Sequence, residues 1–210
     1  NIVTNVIPIN VTSVNDAPVL DDTGTMTLTS IKENGFENPG NLISDIILSA
    51  GGNRITDVDA SPLEGIAIHG VNNTYGQWQY SLSNGSSWNN ITGVNSTNAL
   101  LLGWNGSTRI RFVPNDGFSG ISGISFAAWD QTSGSNGAFA SLATRGGSTA
   151  FSLKNESATI TVTPIPHAIT ITNLGPKVTF TEKGPAVLVA DAAIVTDSQA
   201  PIFGGGRFTA

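Results

Sequence analysis

Short segments in which apolar and polar residues alternate recur along this chain and constrain its fold more than any other feature. Ile110 and Phe112 alternate with two arginines, and the same period of two runs through residues 124–128 and 158–162. Successive side chains of a β-strand point to opposite faces, so this period predicts strands with one buried face. Turn residues separate the segments, and the whole pattern predicts an all-β chain folded as an antiparallel β-sandwich.

Two segments depart from the alternation. Apolar residues recur at helical spacing between Leu42 and Ala50. Asn41 is placed to cap the start and Gly51-Gly52 to end it, which predicts one short helix closing an end of the sandwich. Residues 131–150 are rich in Gly, Ser, Thr and Ala, which favours a long loop or a weak edge hairpin.

A tight turn is predicted at Asn84-Gly85, because both residue types adopt positive φ readily. Trp78, Tyr80 and Leu82 precede it at alternate positions. Their shared parity predicts that all three face the core.

Charge and composition exclude several classes of function. The chain has 210 residues, of which 11% are charged, and its net charge is −6 with the lysines and arginines scattered. Nucleic-acid binding needs a basic stripe, so it is disfavoured. There is no cysteine, which excludes disulfides, thiolate metal sites and a cysteine nucleophile. No apolar run approaches the ~20 residues of a membrane span, so membrane insertion is not expected.

Signatures of catalysis are weak. His69 and His167 are the only histidines, and neither has a partner at metal-binding spacing. No nucleophile elbow, phosphate loop or dinucleotide fingerprint is present. The sequence therefore predicts that the protein is not an enzyme.

An internal repeat gives the domain organisation. Ile7-Pro8 matches Ile165-Pro166 at an offset of 158 residues, and Asn15 matches Asn173 at the same offset. This predicts residues 1–14 as the last strand of a preceding repeat or a donor strand, 15–165 as one complete repeat, and 166–210 as a linker with the incomplete start of the next repeat.

Acidic residues are few, and most lie at predicted turns or strand ends. Ca²⁺ takes six to eight oxygen ligands in flexible geometry, and several loops at one end of a sandwich can supply them. Taken singly, each of these residues is better explained as a turn cap than as a ligand. The candidate ligands in this pattern are Asn15, Asp16, Glu33, Asp57, Asp59 and Asp130.

These residues occur in phrases that resemble the cadherin-like and VCBS tandem repeats of large secreted bacterial adhesins. The linker reads Asn15-Asp16-Ala17-Pro18, the loop Asp57-Val58-Asp59 and the strand end Ala128-Trp129-Asp130. Residues 76–81, 109–116 and 118–120 carry further phrases of such repeats. The resemblance implies one calcium junction with the preceding repeat at Asn15, Asp16, Asp57, Asp59 and Asp130, and an opposite junction at Glu33 with Asp197. The second linker, at 173–176, lacks the aspartate, so the first junction is the better supported.

The function implied by this resemblance is structural. It predicts an extracellular repeat unit of an adhesin or surface filament, with Ca²⁺ holding neighbouring units in line. The partners are copies of the chain or neighbouring repeats, joined head-to-tail either covalently or by strand complementation.

Tryptophans and glycosylation sequons indicate two ways in which the chain could involve glycans, as bound ligands or as modifications. A carbohydrate-binding module using exposed Trp104 and Trp129 is the alternative function. Seven Asn-x-Ser/Thr sequons are candidate glycosylation sites; they begin at Asn10, Asn72, Asn84, Asn90, Asn95, Asn105 and Asn155.

Overall fold

The computed structural model describes residues 8–166, 169–172 and 194–197. The chain divides into two compact units, Asn1–Thr163 and Pro164–Ala210. This division lies two residues before the predicted end of the complete repeat at 165. In the second unit, strands β14 (Ile169–Thr172) and β15 (Ile194–Asp197) form an antiparallel pair.

The first unit is built almost wholly of strands. Its elements in chain order are β1 (Val19–Leu20), β2 (Met26–Thr27), β3 (Ile31–Lys32), β4 (Asn41–Leu42), α1 (Ile43–Leu48), β5 (Ile55–Thr56), β6 (Gly65–Val71), β7 (Gly76–Ser81), β8 (Asn89–Asn90), β9 (Ala99–Gly103), β10 (Arg109–Pro114), β11 (Gly120–Trp129), β12 (Phe139–Ala140) and β13 (Phe151–Thr163).

Two larger sheets face each other across the core. Within residues 8–166, the first sheet has the order β12-β9-β6-β11-β13-β2, with β3 also on β13, and the second has the order β4-β10-β7-β8. The pairings are antiparallel except those of β13 with β2 and β3. Strands β1 and β5 form a separate pair. The predicted all-β sandwich with one short helix is confirmed.

The predicted alternation produces the core between these sheets. Strand β10 buries Ile110 and Phe112, while Arg109 and Arg111 lie on its outer face. Trp78 packs against Phe112 with ring centroids 5.3 Å apart. Tyr80 is partly buried against the same cluster. Leu82 is 39% exposed, so its predicted place in the core is wrong, because β7 ends at Ser81 and the chain turns there.

The helix lies where the apolar spacing predicts, with a different start. Ile43, Ile46 and Ile47 are fully buried, and the backbone N–H groups of Gly51 and Gly52 donate to the Leu48 carbonyl. Asn41 does not cap the helix, and that prediction is wrong. Its side chain exchanges hydrogen bonds with Thr29, at 2.8 and 3.1 Å, because Asn41 lies in strand β4.

A second apolar cluster lies on the outer side of the larger sheet. It contains Ala67, Leu101 and Trp129 from the strands, and Leu142 and Ala150 from the segment predicted as a loop. That segment forms turns and the short edge strand β12, paired with β9. Because it covers the sheet, the ends of the central strands are buried on both faces.

The predicted turn conformation at Asn84-Gly85 is confirmed. Their φ angles are 54° and 88°, in the left-handed region that favours Asn and Gly. The connection is wider than a two-residue hairpin, since β7 ends at Ser81 and β8 begins at Asn89.

The β1–β5 pair is held by an acid-sensitive contact. Thr23 donates side-chain and backbone hydrogen bonds to Asp21, Arg54 adds a 2.6 Å contact, and together they lower the pKa of Asp21 from 3.8 to about 2. A carboxylate whose pKa is lower in the folded state stabilises the fold above its unfolded pKa. That contribution is lost as the pH falls from about 4 to about 2.

We therefore expect the Asp21→Asn variant to lose less stability than the native protein over this pH range. The measurement is the urea midpoint at pH 5, 3.5 and 2.5. Asp116→Asn is the matched control, because the Asp116 carboxylate makes no hydrogen bond among the described residues. Equal acid sensitivity of the native protein and the Asp21 variant would contradict the assignment.

Candidate metal centre

Five of the predicted calcium ligands come together at one end of the first unit. They lie on the linker before β1, on the loop after β5 and at the end of β11. Asn15 and Asp16 precede β1, Asp57 and Asp59 follow β5, and Asp130 directly follows β11. The sandwich places these three segments side by side, although they are far apart in the sequence.

Asn15 anchors the linker to the sandwich. Its Nδ2 donates to Oδ2 of Asp130 at 3.0 Å and to the Thr149 carbonyl at 3.2 Å. The backbone N–H of Ala17 also holds the linker, because it donates to the Gly147 carbonyl at 2.8 Å. The linker is thus fixed to the segment between β12 and β13 as well as to the end of β11.

Asp130 is the buried member of the group, with 3% of its surface exposed. Its Oδ1 accepts hydrogen bonds from the backbone N–H and the hydroxyl of Thr132, at 2.8 and 2.6 Å. Its Oδ2 accepts from Asn15. Both carboxylate oxygens are therefore engaged, and Asp130 chiefly positions Asn15.

The other aspartates form a chain through the backbone. The N–H of Asp16 donates to Oδ2 of Asp59 at 3.0 Å, and the N–H of Asp59 donates to Oδ1 of Asp57 at 2.9 Å. Each of these two carboxylates therefore uses one oxygen to shape the loop and keeps its second oxygen for another partner.

The remaining oxygens suit a hard cation. Oδ2 of Asp57 is buried without a hydrogen-bond partner, and an oxygen left so is costly unless something binds it. Oδ1 of Asn15, Oδ1 of Asp59 and the Asp16 carboxylate also accept no hydrogen bond from the described residues. Among the described residues, no lysine or arginine forms an ion pair with the carboxylates of this cluster. The ion pairs found there are those of Asp21 and Asp22.

The cluster does not hold a complete metal shell by itself. In the described part of the chain, no three acidic or histidine side chains are arranged as a metal-binding group. The donor set fits Ca²⁺ in kind, being carboxylate and amide oxygen, and an ion there would need further oxygens from water or from a preceding unit.

The predicted opposite junction is partly described. Glu33 is 7% exposed, and its N–H donates to the Thr163 carbonyl at 3.0 Å. It lies beside the start of β11, whereas Asp130 follows the end of that strand, so the ten residues of β11 separate them by roughly 30 Å. Asp197 ends β15 in the second unit, and its side chain lies outside the described structure.

The two tryptophans of the alternative function differ in exposure. Trp129 is 1% exposed and its indole N–H donates to the Ser133 carbonyl at 2.8 Å, so the predicted exposed sugar platform is wrong at this residue. Trp104 is partly buried against the core and lines a shallow cleft with Leu63 and Glu64.

The seven sequon asparagines are all exposed. In Asn95 and Asn105, Oδ1 accepts hydrogen bonds from the hydroxyl of the sequon Thr97 or Ser107, at 2.7 and 3.0 Å. Exposure makes all seven positions accessible to modification.

The sequence missed the residues that hold the cluster together. Thr132 caps Asp130 in the pattern Asp-x-Thr, a local turn signal that the sequence does contain. The Gly147 and Thr149 carbonyls carry no such signal, because any residue type supplies a backbone carbonyl.

Neither a membrane-spanning helix in the described ranges nor a known relative identifies the chain. Among the described residues, none of the helical structure is long and apolar enough to cross a bilayer. No protein-family model, curated protein or solved structure matches the chain.

Proposed function

We propose that the chain is a structural repeat unit of an extracellular adhesin or surface filament, stiffened by Ca²⁺ where it joins the preceding unit. The observation that carries this proposal is that hydrogen bonds fix the linker to Asp130 and Asp59, beside a loop in which Oδ2 of Asp57 is buried without a partner. The resemblance to cadherin-like repeats rests on the same residues.

Calcium would act mechanically at this site. An ion bound by Asn15 and Asp16 from the linker and by Asp57 and Asp59 from the sandwich would add to the hydrogen bonds that hold the linker. A ligand that binds only the aligned arrangement shifts the population toward it. The preceding unit would then have one fixed orientation relative to this sandwich, which a filament that bears load requires.

The linker also supports head-to-tail assembly. In residues 8–14 the structure shows no strand, and Ile9 and Val11 are 84% and 85% exposed. Alternating apolar residues with no cover are suited to pairing with a neighbouring sheet, in another repeat or another copy of the chain.

Calcium is expected to stabilise the first unit. At a concentration of 100 times Kd, a ligand that binds only the native state adds about 2.7 kcal/mol, which for a chain of this size raises Tm by roughly 5–10 °C. The measurement is thermal unfolding in excess CaCl₂ and in EDTA. We expect Asp57→Asn to lose most of the shift and Asp116→Asn to keep it. A Tm that EDTA leaves unchanged would overturn the calcium site.

A further inference from the structure

A polar cleft lies on the face of the second sheet that points away from the core. Its floor is strand β10, which directs Arg109 and Arg111 outward, and its walls are the 37–39 loop and the turn before β8. Glu37, Asn84 and Trp88 complete the lining. The cleft has a volume of about 260 Å³, on the other sheet from the second apolar cluster and away from the calcium candidates.

Arg111 is fixed in place by neutral groups. Its guanidinium carbon lies 4.3 Å from the centroid of the Trp88 ring, a cation–π contact. Its Nε donates to Oε1 of Gln79 at 2.8 Å and its Nη1 to the Asn38 carbonyl at 3.2 Å. The Nη2 group makes no hydrogen bond to the described residues.

Arg109 is held in the same way. Its Nε donates to Oδ1 of Asn84 at 2.6 Å, and its Nη1 donates to the Gly40 carbonyl at 3.2 Å. Its Nη2 also has no hydrogen-bond partner in the described chain. Gly40 has a φ of +64°, and a Cβ there would lie 2.9 Å from the Trp88 ring, so the glycine allows this close approach.

Two guanidinium groups are therefore preorganised without a carboxylate at ion-pair distance. Neither Arg109 nor Arg111 has a carboxylate within 4 Å among the described residues, and both stay charged because arginine does not deprotonate in proteins. Alternate residues of one strand point to the same face, so both groups serve one cleft. In a chain with net charge −6, two unpaired arginines side by side mark a site for an anion.

We propose that this cleft binds a carboxylate-bearing sugar residue, such as a hexuronic acid of an acidic polysaccharide. The free Nη2 groups would bind the sugar carboxylate, because guanidinium matches carboxylate geometry. The Glu37 carboxylate and the Asn84 amide would bind hydroxyl groups, and the Trp88 ring offers an apolar wall. The cleft volume fits one small ring, below the range of drug-sized pockets.

Glu37 narrows the choice of ligand. Burial lowers the pKa of the Arg111 guanidinium, and the negative charge of Glu37 raises it in part. A carboxylate at the rim repels a second anionic group and accepts hydrogen bonds from hydroxyls. One carboxylate surrounded by hydroxyls fits this arrangement better than a densely charged phosphate or sulfate ligand.

Modification at Asn84 would compete with this binding. Asn84 begins a sequon and lines the cleft, so a glycan on its Nδ2 would fill the site. The binding test therefore uses protein that carries no glycan.

The test is titration with trigalacturonic acid, followed by NMR of the Trp88 indole and the arginine Nε–H signals. The cleft takes one uronic acid ring, and a single ring bound with the efficiency usual for drug-sized ligands gives a Kd on the order of 1 mM. We expect Arg109→Gln and Arg111→Gln each to weaken binding about tenfold, since a charge-assisted hydrogen bond is lost. Arg145→Gln removes the same charge from the segment between β12 and β13, outside the cleft, and should leave Kd unchanged.

The controls separate a sugar site from a general anion site. Neutral galactotriose should not bind, and sodium sulfate at matched ionic strength should not displace the uronate. Arg111→Lys keeps the charge but not the planar fork, so it should bind more weakly than the native protein. Equal binding of galactotriose, displacement by sulfate, or no signal change at about ten times the expected Kd would overturn the proposal.

Discussion

Replacing Trp129 by alanine is expected to destabilise the first unit by about 4 kcal/mol. Removing a buried tryptophan loses its transfer free energy and leaves a cavity, which together cost about 3–5 kcal/mol. The indole lies against Gly65, where a Cβ would come within 2.9 Å of the ring, so the space left by the indole is bounded by backbone and cannot easily collapse. The measurement is the free energy of unfolding in urea.

Two variants test whether the role of Trp129 is packing. Trp129→Phe keeps most of the apolar contact and leaves the Ser133 carbonyl without its donor, so we expect a loss of about 1–2 kcal/mol. Trp104→Ala removes a partly buried ring and should cost less than Trp129→Ala. A Trp129→Ala variant as stable as the native protein would show that the ring is not part of the core.

The burial of Trp129 could not be predicted from the sequence, whereas the burial along β10 could. Strand β10 has one face in the core and one in water, so its alternation predicts its burial correctly. The end of β11 is buried on both faces, because Leu142 and Ala150 cover the outer side. The covering segment is low in apolar residues and has no periodicity, so the sequence gives no sign that a third layer exists.

The sequence predicts which of the calcium candidates lie at one end of the sandwich, and it does not predict the contacts between them. The positions of Asn15, Asp57 and Asp130 at one end follow from the strand order of a sandwich, which the alternation predicts. The particular hydrogen bond from Asn15 to Asp130 depends on a loop closure that has no sequence pattern. The cleft at Arg109 and Arg111 was overlooked, although two outward arginines at alternate positions on one strand are visible in the sequence.

Replacing Asp130 by alanine is expected to cost about 3 kcal/mol and to loosen the linker. The variant removes the acceptor of three hydrogen bonds, two from Thr132 and one from Asn15, in a site that is 3% exposed. Buried donors that lose a charged acceptor cost about 1–3 kcal/mol in total after partial relaxation, and loss of the packed carboxylate adds to this. Because Asn15 keeps its bond to the Thr149 carbonyl, we expect the linker to become mobile without unfolding.

Asp130→Asn separates the local and long-range roles of the carboxylate. Its Oδ1 can still accept from Thr132, but its new amide group faces the Nδ2 of Asn15, so the linker bond is lost while the turn is kept. The expected loss is about 1 kcal/mol, with amide exchange rising at residues 15–17 and not at 130–132. Should Asp130→Ala and Asn15→Ala have fully additive effects on stability, the two side chains would not be coupled. The calcium-stiffened junction depends on a linker that the sandwich holds. That hold would then rest on the bonds from Asn15 to the Thr149 carbonyl, from the Asp16 N–H to Asp59 and from the Ala17 N–H to the Gly147 carbonyl.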